Sequence, residues 1–523
     1  MKPQAAGYYL FDGTGNLVRH VRLDGKTVSY AQSGNTLTVT ASPGERKIVY
    51  TKDATSGMYV SALLPDAQLI TFNVDAFGAV KSVTYPDAKV RTYLYNELTL
   101  RGTSTEAPVR LTGRVDENGV RHATFTYSTS GDALSTERAG GVDKYSISVQ
   151  SPNVTLTTPL GSTRTLRWET GPDGERRMTS QSQPAGSGSS AASSVIAYDA
   201  KGNKARVDDF AARSVCYAHD LNRNLETTRV EGLVTGSTTC STVTASAATL
   251  PSNSRKISTQ WHPDWRLPAR VAGPGKIITY VYNGQPDPTA GNATATCAPA
   301  NALLPDGKPI AMLCKQVEQA TTDANGGLAF AAALQSGVAA VETKWTYNSF
   351  GQTLTVTEPD NQISTYTYYS DTTASHTLGD LQTFKGPTGL VTTINSYDKS
   401  GRMLQMTDLK GIVTAMTYTP RGLIKTISTT APGQPTYTTT YTYDNAGQLK
   451  GVSDPDGTTI SYTYDAAHRL IGATDAKGNS VSYTLDNMGN RINEQLKDPG
   501  GVLQRSLSRS FDALNRVQQL QLQ

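Results

Sequence analysis

The sequence predicts an all-β fold: a long antiparallel meander of two-strand units that must coil or close on itself. Three observations predict it. The 523 residues hold 26 Tyr against 9 Phe and 4 Trp, together with 46 Gly, a composition of strands and turns rather than helices. An aromatic residue followed by Asp recurs at a spacing of 21 residues, as from Tyr443 to Tyr464. Each regular unit also carries two Asp-x-x-Gly turn signals, which leaves strands of about six or seven residues between them.

Residues 1–179 hold degenerate copies of the unit. Val74-Asp75 leads 21 residues on to Tyr95-Asn96, and Leu111 to Val142 is a fainter one. Gly13-Thr14-Gly15-Asn16 and Gly78 belong to turns of the same kind, without the Lys-Ser/Thr that a phosphate loop requires. Residues 180–194 (SQSQPAGSGSSAASS) have the composition of a flexible loop. Residues 195–230 return to register with Tyr198, Asp199 and Gly202, followed 21 residues later by His219-Asp220.

Residues 231–344 read as an insertion region with irregular strands. It contains a Thr/Ser/Ala-rich stretch at 232–255, the prolines Pro286, Pro288, Pro299, Pro305 and Pro309, and an Ala-rich run at 328–341 that reads as a short helix. Cys216, Cys240, Cys297 and Cys314 fall in one window. Their spacing lacks the close pairs of a zinc site, so they read as two loop-closing disulfides. Cys216–Cys240 and Cys297–Cys314 is the sequence-local pairing among three connectivities, and buried free thiols are the alternative. Bridges would place the chain in an oxidising compartment.

Residues 345–523 are the regular part. Tyr397, Asp398 and Gly401 open one unit, Tyr443, Asp444 and Gly447 another, and Tyr464 with Asp465 a third. The longer spans from Tyr418 to Tyr443 and from Leu485 to Phe511 read as the same unit with a lengthened turn. Asp at the first turn position bonds backbone two residues on, and Gly at the fourth supplies positive φ. Alternation at Leu404 and Met406, or at Ile460, Tyr462 and Tyr464, implies one buried and one wet face. Fifteen or more such strands cannot stay flat, because twist accumulates and open edges aggregate. The recurring Tyr suits stacking from turn to turn along a wall.

These Y-D-x-x-G-x-L units resemble the YD repeats of bacterial Rhs and wall-associated proteins, insecticidal toxin-complex C components and the animal teneurins. The resemblance is strongest over 345–523 and extends over 7–230. It implies a strip of sheet spiralling into a hollow shell, which in bacterial members encloses a carboxy-terminal toxin of the same chain, and it brings carbohydrate binding as an associated property. The DPxGL-type segment at which such shells cleave themselves is not matched: Asp454-Pro455-Asp456-Gly457 and Asp498-Pro499-Gly500 are ordinary turn sequences. The chain reads as a fragment that stops mid-repeat, with its cargo outside it.

The remaining totals exclude several functions. A net charge of +4, spread without blocks, gives no nucleic-acid footprint. No run of about 18 apolar residues exists to span a membrane, and Met1 to Leu10 has no apolar signal region. Export, to the medium or the cell surface, therefore implies a specialised system. The six His residues, His20, His122, His219, His262, His376 and His468, are scattered, and no catalytic, cofactor or metal site is assigned. Asp-rich turns could at most hold Ca²⁺ incidentally. Trp261-His262-Pro263-Asp264-Trp265-Arg266 is the one candidate glycan platform, with Trp261 and Trp265 as stacking rings, set against a repeat variant whose rings plug the sheet. Three readings follow: a structural container for a toxin or other polypeptide used between bacteria, a cell-surface carbohydrate-binding module, and a polysaccharide-degrading β-protein, which needs paired carboxylates in a cleft.

Overall fold

The computed structural model describes residues 7–102, 110–236, 238–245 and 249–523. The first six residues of the Met1–Leu10 stretch and parts of the 232–255 stretch lie outside them. Forty strands form one sheet. Between the first strand and the last, each pairs antiparallel with the strand before it and the strand after it, as Met403–Thr407 does with Val391–Tyr397 and Val413–Tyr418. One detour occurs: Lys276–Tyr282 pairs with Leu313–Ala320, and a two-stranded ribbon, Pro286–Asp287 with Ala293–Thr294, is looped out between them.

The turn chemistry follows from the Asp and Gly positions. In Asp398 to Arg402 the carboxylate Oδ1 accepts the N–H groups of Ser400 and Arg402, both at 2.9 Å, while the Gly401 N–H closes onto the Asp398 carbonyl at φ +85°. A hydrogen-bonded carboxylate is easier to ionise. Asp12, whose partners are the Thr14 hydroxyl and Asn16, is held down to about 2. The ladder slips at the tyrosine that opens each such turn, as between Thr417 and Tyr418 or Thr442 and Tyr443, so these hairpins carry a bulge.

The tyrosines do not stack from turn to turn. Their hydroxyls reach back instead: Tyr418 donates to the Met403 carbonyl at 2.8 Å, Tyr397 to Leu381 at 2.7 Å, Tyr443 to Ile424 at 2.8 Å and Tyr198 to Met178 at 2.8 Å. Each acceptor lies at or near the start of the preceding hairpin's return strand, where the bulge interrupts the ladder. Burial pushes Tyr397 up to about 12, so it stays a donor at any ordinary pH.

Cross-strand partners share a face, and tracing them separates two chemistries. One face carries Thr355 opposite Thr365, Thr367 opposite Thr383, Thr393 opposite Thr407 and Thr417 opposite Thr426. Many of these hydroxyls bond one another, as Thr367 to Thr383 at 2.7 Å and Thr417 to Thr426 at 2.6 Å. The other face pairs Tyr366 with Phe384, Ile394 with Met406, Met416 with Ile427 and Tyr441 with Val452. The expected buried face is not a closed core. Each strand packs on its neighbours in the strip and, among the described residues, no strand packs broadly on another wall. Ile460 on the aromatic face is therefore exposed, and Tyr462 and Tyr464 are half-buried.

Among the described residues, the compact core clusters lie around the insertions. There the hydroxyl face turns apolar and is covered: Cys216, Val230, Ala272, Ile277 and Val317 are all buried. The five-residue helix Cys240–Thr244 seats Val243 against Val230 and Leu233. Disulfides join Cys216 to Cys240 and Cys297 to Cys314. The Ala-rich run at 328–341 is not an α-helix; only Ala329–Ala331 forms a 3₁₀ turn, because Gly337 at φ +75° breaks the run and Val341–Tyr347 is drawn into the strip. The units expected to have lengthened turns have lengthened strands, Ile424–Thr430 with Thr436–Tyr443 and Arg491–Lys497 with Leu503–Phe511. The 180–194 stretch is mostly hairpin, with strands up to Gln183 and from Ala192.

Candidate functional site

The strip has two edges, one formed by the turns that follow the Tyr-Asp signature and the other by the turns between. Tyr-Asp turns of the second half of the chain meet the opposite edge of the first half, and this line of contact is the candidate site. The bonds that cross it join residues separated in sequence by 288 to 353 positions, so the strip completes one course and begins a second. Tyr8 donates to Asp306 at 2.8 Å, and the Ala311 N–H bonds the Leu23 carbonyl at 2.8 Å. Arg46 grips both oxygens of Asp380, at 2.7 and 2.8 Å. Arg402 donates to Asp66 at 2.6 Å, Arg421 to Asp87 at 3.0 Å, and Asn118 to Asp444 at 3.0 Å. Farther along, Asp143 N–H meets the Asn487 carbonyl at 2.7 Å, and Asp512 accepts from Ser187 N–H at 2.9 Å.

Charge explains the register. Arg402 bridges its own turn aspartate, Asp398 (2.5 Å), and Asp66 across the seam. Its guanidinium also lies 5.0 Å from the Tyr418 ring centre, a cation–π geometry. Arg421 sits 4.5 Å over Tyr85 while reaching Asp87 and the buried Glu117, which Arg91 also faces at 3.1 Å. A cavity of about 610 Å³ remains here, lined by Asp66, Tyr85, Arg91, Glu117, Arg402 and Arg421 among others. Backbone approaches equally closely: a Cβ on Gly351 would stand 2.0 Å from the Asp24 carbonyl oxygen, so only glycine fits.

Two histidines scattered in sequence are joined at the seam. His468 occupies the glycine position of its turn at φ +65°, and its Nε2 lies 2.6 Å from Asp116 Oδ2. The His122 ring lies against it, centroids 4.3 Å apart. Burial, with help from His468, Arg114 and Arg138, lowers His122 to about 4.

Of the other sequence candidates, the signature residues Tyr397, Asp398 and Gly401, Asp444 and Gly447, and Asp465 lie at or beside this seam, whereas Tyr198, Asp199 and Gly202 lie on the outer edge of the first course. Trp265 cannot serve as a glycan platform: it is 1 % exposed, stacked on His262 at 4.2 Å in a core with Val21 and Ile310. Trp261 is half-buried with its indole N–H on the Glu226 carbonyl. Asp371, His376 and Ser375 approach an acid, base and nucleophile in spacing (3.1 and 3.2 Å). They tie one loop together instead, since Thr373 competes for the same His376 nitrogen at 3.2 Å and the ring is packed on Tyr369. Among the described residues no cluster of three or more His, Cys, Asp or Glu side chains is placed to hold a metal ion, and no helix is long and apolar enough to cross a membrane. Sequence reasoning missed the seam. Its trace in the sequence is the Arg four residues after the turn Asp, at Arg402 and Arg516, both of which bond across it.

Comparison with known proteins places this geometry. Residues 443–480 and 464–503 match the family model described as RHS Repeat. No curated protein matches the chain. Among solved structures, TcdB2-TccC3-TEV superposes with a TM-score of 0.56 at 14% identity, covering 97% of this chain and 26% of that one. TcdB2-TccC3 without hypervariable C-terminal region gives 0.56 at 14% over 98% and 26%, and TcdB2-TccC3-Cdc42 gives 0.54 at 13% over 96% and 26%. At this identity the likeness is one of fold, and the chain spans about a quarter of the length of those chains.

Proposed function

We propose that this YD/Rhs-repeat chain works as a wall: a strip of β-sheet that closes on itself along a seam and sequesters a polypeptide, in the bacterial setting a toxin carried to another cell by a specialised export system. The seam is the observation that carries this reading. A sheet that only presented a binding face would need its two-faced strip but not a line of Arg–carboxylate pairs sealing one course to the next. Sealing removes a long free edge that would otherwise template aggregation. One solved structure of the same fold lacks a hypervariable C-terminal region, and we carry that arrangement over to this chain as a variable passenger that belongs with the wall. The wall does no chemistry of its own in this reading. Its two faces, one of hydroxyls and one of aromatic and aliphatic side chains, offer a polar and a semi-apolar lining, either of which suits an unfolded guest better than a folded one.

The test is protection. An unstructured, protease-sensitive polypeptide joined after Gln523 is expected to outlast the same tail on an unrelated folded protein under trypsin, and to lose that advantage when the seam is opened by Arg402→Glu with Arg421→Glu. Equal cleavage rates in the wild-type wall and the unrelated carrier would overturn the container reading.

A further inference from the structure

We propose that the seam carries an acid-operated latch, formed where His468 of the second course sits between Asp116 and His122 of the first, which loosens the seam as the pH falls from neutral towards 5. The inference rests on the seam itself and not on what the wall encloses.

The geometry is specific. His468 reaches across the seam in a turn whose own charges, Asp465 and Arg469, are already paired with each other at 2.7 Å. On the first course the strand Leu111–Val115 brings Arg114, the turn that follows brings Asp116, and the strand Ala133–Arg138 brings Arg138. Arg138 is paired to Asp143 at 3.1 Å and is aimed at the Ala467 carbonyl across the seam, at 3.4 Å. Among the described residues, Asp116 is the carboxylate that faces His122, against two guanidiniums and the His468 ring. Asp116 is also committed: its Oδ1 accepts the Asn118 and Val120 N–H groups at 3.0 and 2.8 Å, and its Oδ2 takes His468.

A proton on His122 therefore has no partner while the seam is closed. When the seam opens, water reaches the ring and His468 moves away, and His122 regains an ordinary imidazole affinity. The sign follows. The closed state binds fewer protons, so its advantage is complete above about pH 6.5 and declines as the pH falls towards 4. A group titrating near 6.5 when open and about 4 when closed favours opening by at most ~30-fold at pH 5. His122 is half-exposed, and screening reduces this to about tenfold.

Amide hydrogen exchange, corrected for intrinsic rates, reads it on the intact chain. The Asp143 N–H, which bonds Asn487 across the seam, should lose protection about tenfold between pH 7.5 and 5.0, while Gly411 N–H, in a turn on the edge away from the seam, should not change. His122→Phe keeps a ring against His468 and cannot take a proton, so its Asp143 protection should be flat with pH. His468→Asn keeps the positive-φ turn but loses the cross-seam bond, so protection should be lower at both pH values. No loss in the wild type, or the same loss in His122→Phe, would overturn the latch.

Discussion

If Arg402 joins two courses of one strip, then Arg402 and Asp66, 336 residues apart in sequence, must be energetically coupled. Arg402→Gln removes the bond to Asp66 at 2.6 Å, the bond to Asp398 at 2.5 Å and the approach to Tyr418. Asp66 and Arg402 are about 14% and 27% exposed at the side chain, partly buried enough that screening by water is incomplete. A charge-assisted hydrogen bond in such a site contributes about 1.5–3 kcal/mol, and the ring contact about 0.5–1 kcal/mol. The Asp398 bond is local to the turn and is replaced in part by water, so the substitution should weaken the seam by about 2–3 kcal/mol. The cycle of wild type, Arg402→Gln, Asp66→Asn and the double variant isolates the cross-seam share, expected at about 1–2 kcal/mol. A chain this long need not unfold in one step, so the readout is local exchange at Gln68 N–H and Arg402 N–H rather than a global midpoint. About 1.4 kcal/mol corresponds to a tenfold change in opening. Additive effects, within about 0.3–0.5 kcal/mol, would mean the two turns do not touch and the register of the seam is wrong.

Two further outcomes test the turn chemistry. Tyr418→Phe should cost about 1 kcal/mol by leaving the Met403 carbonyl unpaired, read as faster exchange in the hairpin of Met403–Thr407 and Val413–Tyr418; no change would mean water replaces the hydroxyl freely. Gly457→Ala, on the edge away from the seam with open space around it and φ +86°, should cost about 1–2 kcal/mol from backbone strain alone. Gly351→Ala adds a Cβ 2.0 Å from the Asp24 carbonyl oxygen and should cost about 1–3 kcal/mol more, appearing as lost protection at the Asp24 turn across the seam. Equal costs at the two glycines, measured by exchange at each turn, would remove the close approach.

The local structure was legible because it is written locally. Asp and Gly three residues apart fix a turn whatever lies around it, so Asp398 and Gly401 announce their hairpin in the sequence. What failed was where local rules meet tertiary demand. The Ala-rich run at 328–341 has helix propensity but no cap, and the strip claims Val341–Tyr347 as a strand. Leu404 and Met406 do alternate with polar neighbours, yet a single-layer wall has nothing to bury them under, and they stay half-exposed. Trp261 and Trp265 are alike as letters, and only packing separates a core ring from one on the strand. The seam was illegible for a different reason: its partners are separated by a full course, a distance set by accumulated curvature that no motif records.

That separation also accounts for the signature itself. A turn needs its Asp and Gly but has no need of a tyrosine before it or an arginine after it. At the Tyr-Asp edge both have work to do. The tyrosine hydroxyl bonds the carbonyl that the bulge strands, as Tyr418 does for Met403, and the arginine four residues after the Asp reaches the neighbouring course at two turns, as Arg402 does for Asp66 and Arg516 for the Ser187 carbonyl, while Arg469 stays on its own edge with Asp465 and the Asp486 carbonyl. The bulge gives the edge its projection, the hydroxyl makes the bulge tolerable, and the projecting arginine finds a carboxylate there. The turns between the signatures, such as Asp408 to Gly411 and Asp454 to Gly457, have the same Asp and Gly and neither addition, and in the second course they lie on the edge away from the seam. The seam joins unlike edges, the Tyr-Asp turns of one course to the intervening turns of the other, so the edge that reaches across should differ in sequence from the edge that receives it, and the asymmetry within each 21-residue unit separates the two.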